Sequence, residues 1–346
     1  MSSYPLFDAF PRLRVFPRAG LLETATPVQS LAGQGAVWVK RDDLSAGDYG
    51  GNKIRKLDLL LARAAADGRH DLVTFGYSGS NFVAATAWHG RKLGLATHAF
   101  LLPQADAPYV ADNLATGVHC GAELRVSRSQ LSVIAQALAC SLRVLARSGR
   151  APRWIPPGGS TPLGALGFVN AAFELRQQID AGLLPVPSRL YVAFSSMGTV
   201  AGLAIGLALA GLPTQIEAVQ VVGPQFASRD KLDRLVQRTL SLLRRTDPAA
   251  APVRIADVRI RTEFFGTQYA VATEATKRAM QRFEDATGAH SDSAYSGKAL
   301  AGLYADLDAG SCDGPVLYWH TFNAHGRPAG VPPLPTARLR DYLLSA

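Results

Sequence analysis

Short apolar runs alternate with helical segments along nearly the whole chain, and this alternation limits the fold more than any other feature. Runs such as residues 72–75 and 190–194 have the length of strands, and each precedes a longer segment whose apolar residues recur at helical spacing. Strands that alternate with helices are typical of an α/β architecture in which largely parallel sheets are flanked by helices. Ligands of such folds bind at the carboxyl ends of strands, so loops that follow strands are the first candidates for a functional site.

Several local features refine this pattern. Residues 1–36 contain four prolines and are predicted to be a loop. Residues 53–67 are predicted to form a helix with Asn52 as its N-cap. Residues 248–252 resemble a linker rich in proline and alanine, and a last helix is predicted around residues 336–344.

The composition excludes several classes of protein. The chain has 346 residues, 48% apolar and 18% charged, which suffices for two globular lobes with their own cores. The net charge is +9, but the arginines are dispersed, so nucleic-acid binding is not expected. Three widely spaced cysteines match neither a disulfide framework nor a zinc site. Because neither a signal peptide nor a long uninterrupted apolar run is evident, a soluble cytoplasmic protein without a membrane partner is expected.

The segment Gly50-Gly51-Asn52-Lys53 places a lysine at the start of a predicted helix. The positive end of the helix dipole disfavours an ammonium there, and burial would disfavour it further. Both effects favour the neutral amine, which is the form that attacks an aldehyde. Taken alone, however, the tetrapeptide fits a surface lysine at the start of an amphipathic helix better.

Two further loops lie between an apolar strand and a helix. Residues 78–81 read Ser-Gly-Ser-Asn and could bind a carboxylate through backbone amides, although an ordinary helix N-cap explains them equally well. Residues 195–202 read Ser-Ser-Met-Gly-Thr-Val-Ala-Gly. Amides and hydroxyls at a helix start are typical of a phosphate cradle, and the loop lacks the Gly-Lys-Ser/Thr of a Walker A motif. The last candidate segments for a functional site are Tyr295-Ser296-Gly297-Lys298 and His320-Thr321. Taken alone, Tyr295 would fit a half-buried core tyrosine.

Taken together and in order, these segments resemble the family of 1-aminocyclopropane-1-carboxylate (ACC) deaminases and D-cysteine desulfhydrases. The resemblance includes GGNKIRKL at 50–57, LVTFGYSGSN at 72–81, PPGGSTPLGALGFVNAA at 156–172, YSGKALAGL at 295–303 and VLYWHT at 316–321. It implies a two-domain, tryptophan-synthase-β-like fold of the type II enzymes that depend on pyridoxal 5′-phosphate (PLP). Residues 1–52 and 162–346 would form the larger, PLP-binding domain and residues 53–161 the smaller one. The resemblance also implies a homodimer with the cofactor between the domains.

The resemblance also implies a role for individual residues. Lys53 would carry PLP as a Schiff base and move the α-proton of the substrate, and Asn81 would meet the ring hydroxyl. Ser80 and its neighbouring loop would take the substrate carboxylate. Tyr269 and Tyr295 would face the substrate as acid/base or positioning groups. The other residues implied to bind the cofactor are Lys56, Ser196, Gly198, Thr199, Val200, Ser296 and Thr321.

The chain departs from the family at several of these positions. Phe82 replaces His or Gln, Gly79 replaces Gln, and Phe322-Asn323 replaces a Gly-Gly pair. In the predicted phosphate loop, Ser195 and Met197 stand where the family has glycine, and Val200 replaces Gln. The replaced residues would line the pocket, so the resemblance does not identify the substrate.

One departure bears on the reaction. ACC deaminases carry a glutamate that faces the pyridine nitrogen, whereas this chain has Ser296 at that position. A carboxylate keeps the pyridinium protonated and makes the ring a strong electron sink, which opening a cyclopropane requires. The sequence therefore favours α,β-elimination from a small amino acid, releasing ammonia and a 2-oxo acid, as in D-cysteine desulfhydrase. ACC ring opening, β-replacement in a specialised biosynthetic pathway and a PLP-binding carrier or regulator are the alternatives.

Overall fold

The computed structural model describes residues 4–22, 24–33, 35–250, 254–335 and 339–343. Ten strands and ten α-helices lie within these ranges. The strands are β1 (Val28–Ser30), β2 (Val37–Arg41), β3 (Asp71–Tyr77), β4 (Ala96–Leu102), β5 (Glu123–Val126), β6 (Arg153–Ile155), β7 (Arg189–Phe194), β8 (Gln215–Gln220), β9 (Val258–Arg261) and β10 (Val316–His320). The helices are α1 (Pro5–Ala9), α2 (Ile54–Ala66), α3 (Asn81–Lys92), α4 (Pro108–His119), α5 (Gln130–Ser148), α6 (Pro162–Asp180), α7 (Gly198–Leu209), α8 (Arg229–Thr246), α9 (Glu274–Thr287) and α10 (Ser296–Asp308).

The strands form two sheets, each largely parallel. The larger sheet has the order β1-β2-β10-β7-β8-β9, in which only β1 is antiparallel to its neighbour. The smaller sheet has the order β5-β4-β3-β6 and is parallel throughout. This arrangement confirms the predicted α/β class. The smaller sheet lies entirely within the predicted 53–161 domain, although the domain boundaries themselves stay a prediction.

Helix α2 approaches the helix α6 closely enough to require a glycine. A Cβ atom on Gly167 of α6 would lie 2.0 Å from the Arg55 carbonyl oxygen on α2. The two backbones can therefore touch only because this position has no side chain. The contact places the first turn of α2, and with it Lys53, against the core of the larger sheet.

A buried ionic network fixes the same turn of α2. The Arg55 Nε and Nη2 atoms donate to the two Asp42 carboxylate oxygens at 2.8 and 2.7 Å, and Nη1 donates to Glu174 Oε2 at 2.8 Å. The Lys40 ammonium on β2 donates to the same Glu174 carboxylate. All four side chains are buried. Because the network joins β2, α2 and α6, it holds the start of α2 in one orientation.

The N-terminal segment is more ordered than predicted. Residues 1–36 were expected to form a loop, but they contain α1, a 3-10 turn at Pro11–Val15 and β1. Pro5 and Pro11 open their helices, where proline is tolerated because the first amides have no helical partner. Leu6, Phe7 and Leu13 are buried in the core that includes α6, and this long-range packing is invisible to a local proline count.

Other element predictions also need correction. The helix α2 begins at Ile54 with Lys53 at the N-cap position, so Asn52 is not the cap. Strand β9 was not predicted at all. Within the predicted last helix, the described residues form a 3-10 turn at Arg340–Tyr342, while 336–338 and 344 lie outside the described residues. The predicted linker contains a 3-10 turn at Pro248–Ala250, and its remaining residues also lie outside the described part.

Helix α5 is long and apolar enough to cross a membrane by length and composition alone, the only such helix among the residues that the structure describes. The sequence had predicted that no apolar segment is long enough to span a membrane, and α5 is an exception to that prediction by these two criteria. One apolar face of α5 packs inside the protein. Val133, Ala137, Cys140 and Val144 recur at helical spacing and pack on the smaller sheet with Val73 and Phe100.

Candidate active site

A cavity of about 360 Å³ gathers most of the predicted site residues. It lies where loops that follow β3, β6, β7, β8 and β10 meet the starts of α2 and α3, the expected place for a ligand of parallel sheets. A smaller adjoining cavity of about 20 Å³ is lined by Thr199 and Val200. The predicted site residues that line the larger cavity are Lys53, Ser80, Asn81, Ser196, Tyr269, Tyr295 and Thr321.

The Lys53 side chain projects into this cavity. Its Nζ atom lies 5.6 Å from the centre of the Tyr295 ring. Burial lowers the pKa of Lys53 to about 8, although the negative charge of Asp292 opposes the shift. A neutral amine, the form that can act as a nucleophile or base, is therefore accessible near neutral pH.

The structure fits a phosphate group at the start of α7. The Lys56 ammonium is fully buried and donates to the Gly158 carbonyl oxygen at 3.0 Å, and it has no carboxylate partner among the described residues. Burial and the neighbouring Lys53 both lower the pKa of Lys56. A Cβ atom on Gly198 would lie 2.9 Å from Lys56 Nζ and 2.8 Å from Ser160 Oγ. A buried cation beside an open helix N-terminus is suited to an anion.

The loop before α7 carries backbone strain where the resemblance expects glycine. Met197 has φ +67°, in the left-handed region that glycine adopts at no steric cost. This geometry turns Ser196 toward both cavities. Asn52, which is not a helix cap, donates from Nδ2 to Thr199 Oγ1 at 3.4 Å. Asn52, Thr199 and Val200 all line the smaller cavity.

The loop that precedes α3 is held by residues that the sequence interpretation did not include. Asn113 Nδ2 donates to Asn81 Oδ1 at 2.7 Å and to the Gly79 carbonyl oxygen at 2.9 Å. The Asn81 amide group is thereby oriented with its NH2 free to donate. The Gly79 amide donates to Gln104 Oε1 at 2.8 Å. Ser80 caps α3 by accepting from the Val83 amide at 3.4 Å. The Ser80 hydroxyl proton and the amides of Asn81 and Phe82 are left for a carboxylate, because the first helical amides have no partner within the helix.

Two tyrosine hydroxyls meet on the wall opposite this loop. The Tyr269 and Tyr295 oxygens lie 2.5 Å apart. Burial raises the pKa of both tyrosines, so both hydroxyls stay neutral at physiological pH and can donate a proton. Ala270 has φ +65°, and the buried Lys298 ammonium donates to the Gln268 carbonyl oxygen at 3.1 Å. These two features fix the backbone on either side of Tyr269.

Ser296 is a predicted cofactor-binding residue that the structure does not place in the lining of either cavity. It is fully buried. Its hydroxyl donates to Asp292 Oδ2 at 2.7 Å and accepts from the Asp292 amide at 2.7 Å. With its proton committed to Asp292, the hydroxyl can offer only a lone pair to another group. The role of Ser296 beside the cofactor ring stays a prediction.

Two of the sequence departures have structural explanations. Asn323 Oδ1 accepts from the Gly50 amide at 3.0 Å, so the side chain steadies the glycine turn before Lys53. Phe82 is buried, lines the cavity and packs against Gly159, where a Cβ atom would lie 2.9 Å from the Phe82 ring. Both changes therefore stiffen the walls of the cavity rather than opening them.

Several residues that shape the site were not predicted from the sequence. Gln104 follows the carboxyl end of β4, so the rule that guided the other choices could have found it. Asn113 lies in the middle of α4, where nothing in the sequence separates it from a solvent-facing polar residue. Phe226 follows the carboxyl end of β8 and could have been found by the same rule. Asp292 and Lys231 reach the site only through the tertiary fold.

Comparisons with known proteins agree with this geometry. A family model described as pyridoxal-phosphate dependent enzyme matches residues 20–321. A nocardicin C-9′ epimerase of Nocardia uniformis subsp. tsuyamanensis is 34% identical over 310 residues, covering 88% of this chain and 92% of that protein. A D-cysteine desulfhydrase of Salmonella choleraesuis (strain SC-B67) is 32% identical over 324 residues, covering 89% and 94%. The crystal structure of an ACC deaminase homologue has a TM-score of 0.79 at 29% identity and covers 96% of this chain and 98% of that one.

Proposed function

The chain belongs to the pyridoxal-phosphate dependent enzymes, and on that premise we propose that it is a lyase that removes a β-substituent from a small amino acid. Membership of the family confirms the predicted cofactor, the predicted type II fold and the prediction of an enzyme. The observation that carries the proposal is the cavity in which the Lys53 amine, a phosphate cradle and a pair of neutral tyrosine hydroxyls meet. The D-cysteine desulfhydrase relative supports the same reaction class.

We propose that the cofactor phosphate lies at the start of α7, held by Lys56, the hydroxyls of Ser196 and Thr199, and the amides around Gly198 and Val200. Asn81 would donate to the ring hydroxyl from the NH2 group that Asn113 orients. Thr321, which lines both cavities, would border the cofactor ring. When bound, PLP supplies an electron sink that weakens the bonds at the substrate Cα atom.

Different residues of the chain then carry out different steps of the elimination. The Lys53 amine removes the proton from Cα, because its lowered pKa leaves a neutral base available. Ser80 and the first amides of α3 orient the substrate carboxylate. The Tyr269–Tyr295 pair gives a proton to the departing β-substituent. The Cα–H and Cβ–X bonds break, HX leaves, and one water molecule is consumed as ammonia and the 2-oxo acid form.

A panel of amino acids tests this function on the PLP-loaded protein. D-cysteine, L-cysteine, D-serine and ACC are each supplied, and 2-oxo acid and ammonia are measured together. Pyruvate with stoichiometric ammonia from a cysteine or serine is the expected result. Faster formation of 2-oxobutyrate from ACC would contradict elimination as the main reaction. An added thiol that diverts pyruvate into a new amino acid would favour β-replacement.

Epimerisation at Cα is a second candidate. The nocardicin C-9′ epimerase relative has 34% identity, and this structure holds two kinds of proton carrier in one cavity, the Lys53 amine and the Tyr269–Tyr295 pair. A base on one face of Cα and an acid on the other would invert its configuration. Exchange of the α-proton in deuterated water, with conversion of D-serine to L-serine and no pyruvate, would favour this reaction over elimination.

We also propose that the protein is a homodimer of the cytoplasm that pairs through the outer face of α5, without nucleic-acid or membrane partners. Leucines and an isoleucine on this face recur at helical spacing, and Leu131 is 85% and Leu142 67% exposed. They and Trp154 expose on the order of 500 Å² of apolar surface, against about 800 Å² per partner in a standard interface. The first thirteen residues of α5, 130–142, carry no charge. Because this part of the face is uncharged, two copies can pair through it although the chain has a net charge of +9.

The Leu142→Glu substitution is expected to convert the dimer to a monomer, because it places a carboxylate within the apolar stripe. Size-exclusion chromatography with light scattering gives the mass of each form. Leu183→Glu is the matched control, since Leu183 is an exposed leucine in the turn after α6. A monomeric wild type, a dimeric Leu142→Glu variant or capture of the wild type by anionic lipid vesicles would each contradict this interface.

A further inference from the structure

The wall of the cavity contains a cation for which the proposed mechanism has no use. Lys231, in the first turn of α8, lines the cavity together with Phe226 and Val222, which follow the carboxyl end of β8. Its side chain is half-buried, and its ammonium donates to the Gln225 carbonyl oxygen. Lys231 forms no ion pair within the part of the chain that the structure describes.

The charge of the cavity is entirely positive. Of the residues that line it, only Lys53 and Lys231 are charged, and no aspartate or glutamate is among them. Lys53 is assigned to the cofactor, and the phosphate and the substrate α-carboxylate are assigned to α7 and α3. Lys231 is the charged lining residue that these assignments leave without a role, and no carboxylate pairs with it among the described residues.

Aromatic rings cover the wall next to Lys231. Tyr77 stacks on Tyr269 with ring centres 4.5 Å apart, and Phe226 meets Tyr77 edge to face at 6.1 Å. The same three rings border a second, outer hollow of about 400 Å³ that also contains Gln225. The two cavities therefore share an aromatic wall formed by Tyr77, Phe226 and Tyr269. Such a surface accepts methylene or thioether atoms.

We propose that the substrate is an amino acid whose β-substituent is several atoms long and ends in an anionic group, and that Lys231 selects it by binding that group. This proposal rests on the lyase function proposed above and deepens it. A carboxylate would replace the Gln225 carbonyl oxygen as the partner of the Lys231 ammonium. The ammonium would then bind an anion instead of a neutral carbonyl group, which adds the attraction between opposite charges to the hydrogen bond. The thioether or methylene part of the substituent would lie on Tyr77 and Phe226.

Two substrates that differ only in charge test the proposal. S-carboxymethylcysteine and S-carbamoylmethylcysteine have the same number of heavy atoms, and both enantiomers of each are supplied. In the elimination, the Cα–H and Cβ–S bonds break, the thiol leaves as thioglycolate or its amide, and water releases pyruvate and ammonia. The wild type is expected to prefer the carboxylate by about tenfold in kcat/KM, the effect of one hydrogen bond to a charged group. Lys231→Met should abolish this preference and Lys231→Arg should retain it.

Lys277→Met is the matched control, since Lys277 is an exposed lysine on α9 paired with Glu274, and it should retain the full preference. The visible absorption of the bound cofactor should be the same in every variant. A preference near one in the wild type would overturn the proposal while leaving the lyase function intact. Loss of cofactor affinity in Lys231→Met would also overturn it, because Lys231 would then be a phosphate ligand.

A binding experiment separates the proposal from the reaction. 2-Aminoadipate replaces the sulfur of S-carboxymethylcysteine by a methylene group and has no β-leaving group, and its side-chain amide is the neutral counterpart. Calorimetric titration of the PLP-loaded protein should give tighter binding of the acid, again by about tenfold, and equal binding in Lys231→Met. This result together with no pyruvate from any amino acid would overturn the lyase function but support the role of Lys231. Equal binding in the wild type would overturn that role.

Discussion

Replacing Lys53 by alanine is expected to lower the rate of 2-oxo acid formation by at least about a thousandfold, because the residue is assigned both the covalent attachment of the cofactor and the removal of the α-proton. The visible absorption of the cofactor bound through Lys53 should also disappear. After reduction with borohydride, mass spectrometry should find the cofactor on the Lys53 peptide of the wild type and on no peptide of the variant.

Lys92→Ala is the control for this substitution. Lys92 lies at the end of α3, where its exposed ammonium pairs with Asp48 at the surface, so the variant should retain the absorption and the activity. Circular dichroism checks that Lys53→Ala is folded. Undiminished activity of a folded Lys53→Ala protein, or cofactor trapped on another lysine, would remove the basis of the proposed site.

Replacing Glu174 by alanine is expected to lower the free energy of unfolding by about 3–5 kcal/mol, because it leaves the buried Lys40 ammonium without a carboxylate partner and Arg55 with Asp42 alone. Glu174 accepts from Arg55 at 2.8 Å and from Lys40, and all three side chains are almost fully buried. Urea denaturation measures the loss. Glu263→Ala is the matched control, since Glu263 pairs with Arg261 but is half exposed, and it should cost less than about 1 kcal/mol.

The same carboxylate predicts how stability responds to acid. Burial alone would raise the pKa of Glu174, but Arg55 and Lys40 outweigh it and hold the pKa at about 2. Because this value lies below the ordinary glutamate value of 4.5, the stabilisation is complete above pH 4.5 and is lost as the pH falls toward 2. Urea denaturation between pH 5 and 2 should show a steeper loss for the wild type than for Glu174→Gln. Parallel curves would contradict the prediction.

The Glu174 network also bears on catalysis. Arg55 is two residues from Lys53, and its guanidinium is the group through which β2 and α6 hold the first turn of α2. The amine of Lys53 therefore depends for its position on charges that never contact a ligand. This is a general property of sites on rigid elements, whose functional groups are placed by the packing and hydrogen bonds behind them.

The sequence alone determined the architecture and the chemical type of the site. Alternating apolar strands and helices specify a parallel α/β fold, since burial on both faces of a sheet leaves a local record in each strand. The loops after strands made Lys53, Asn81 and residues 195–202 candidates, because parallel sheets bind ligands at their carboxyl ends. Their individual roles were implied by the family resemblance and stay predictions. Local rules were less reliable at the N-terminus, where proline in residues 1–36 predicted a loop and burial of Leu6 and Phe7 against α6 produced helix α1.

Which distant residues share the site depends on the tertiary structure and could not be read from the sequence. Lys56 meets the Gly158 carbonyl oxygen, which lies 102 residues away in the sequence, and Asn113 meets Asn81 at a separation of 32 residues. Lys231 lines the same cavity as Lys53 although the two belong to helices in different parts of the chain. The Ser296 proton is directed to Asp292 by a turn that no motif describes. Such contacts depend on how the elements pack against one another, and hydrophobic burial, which drives this packing, acts without regard to separation along the chain.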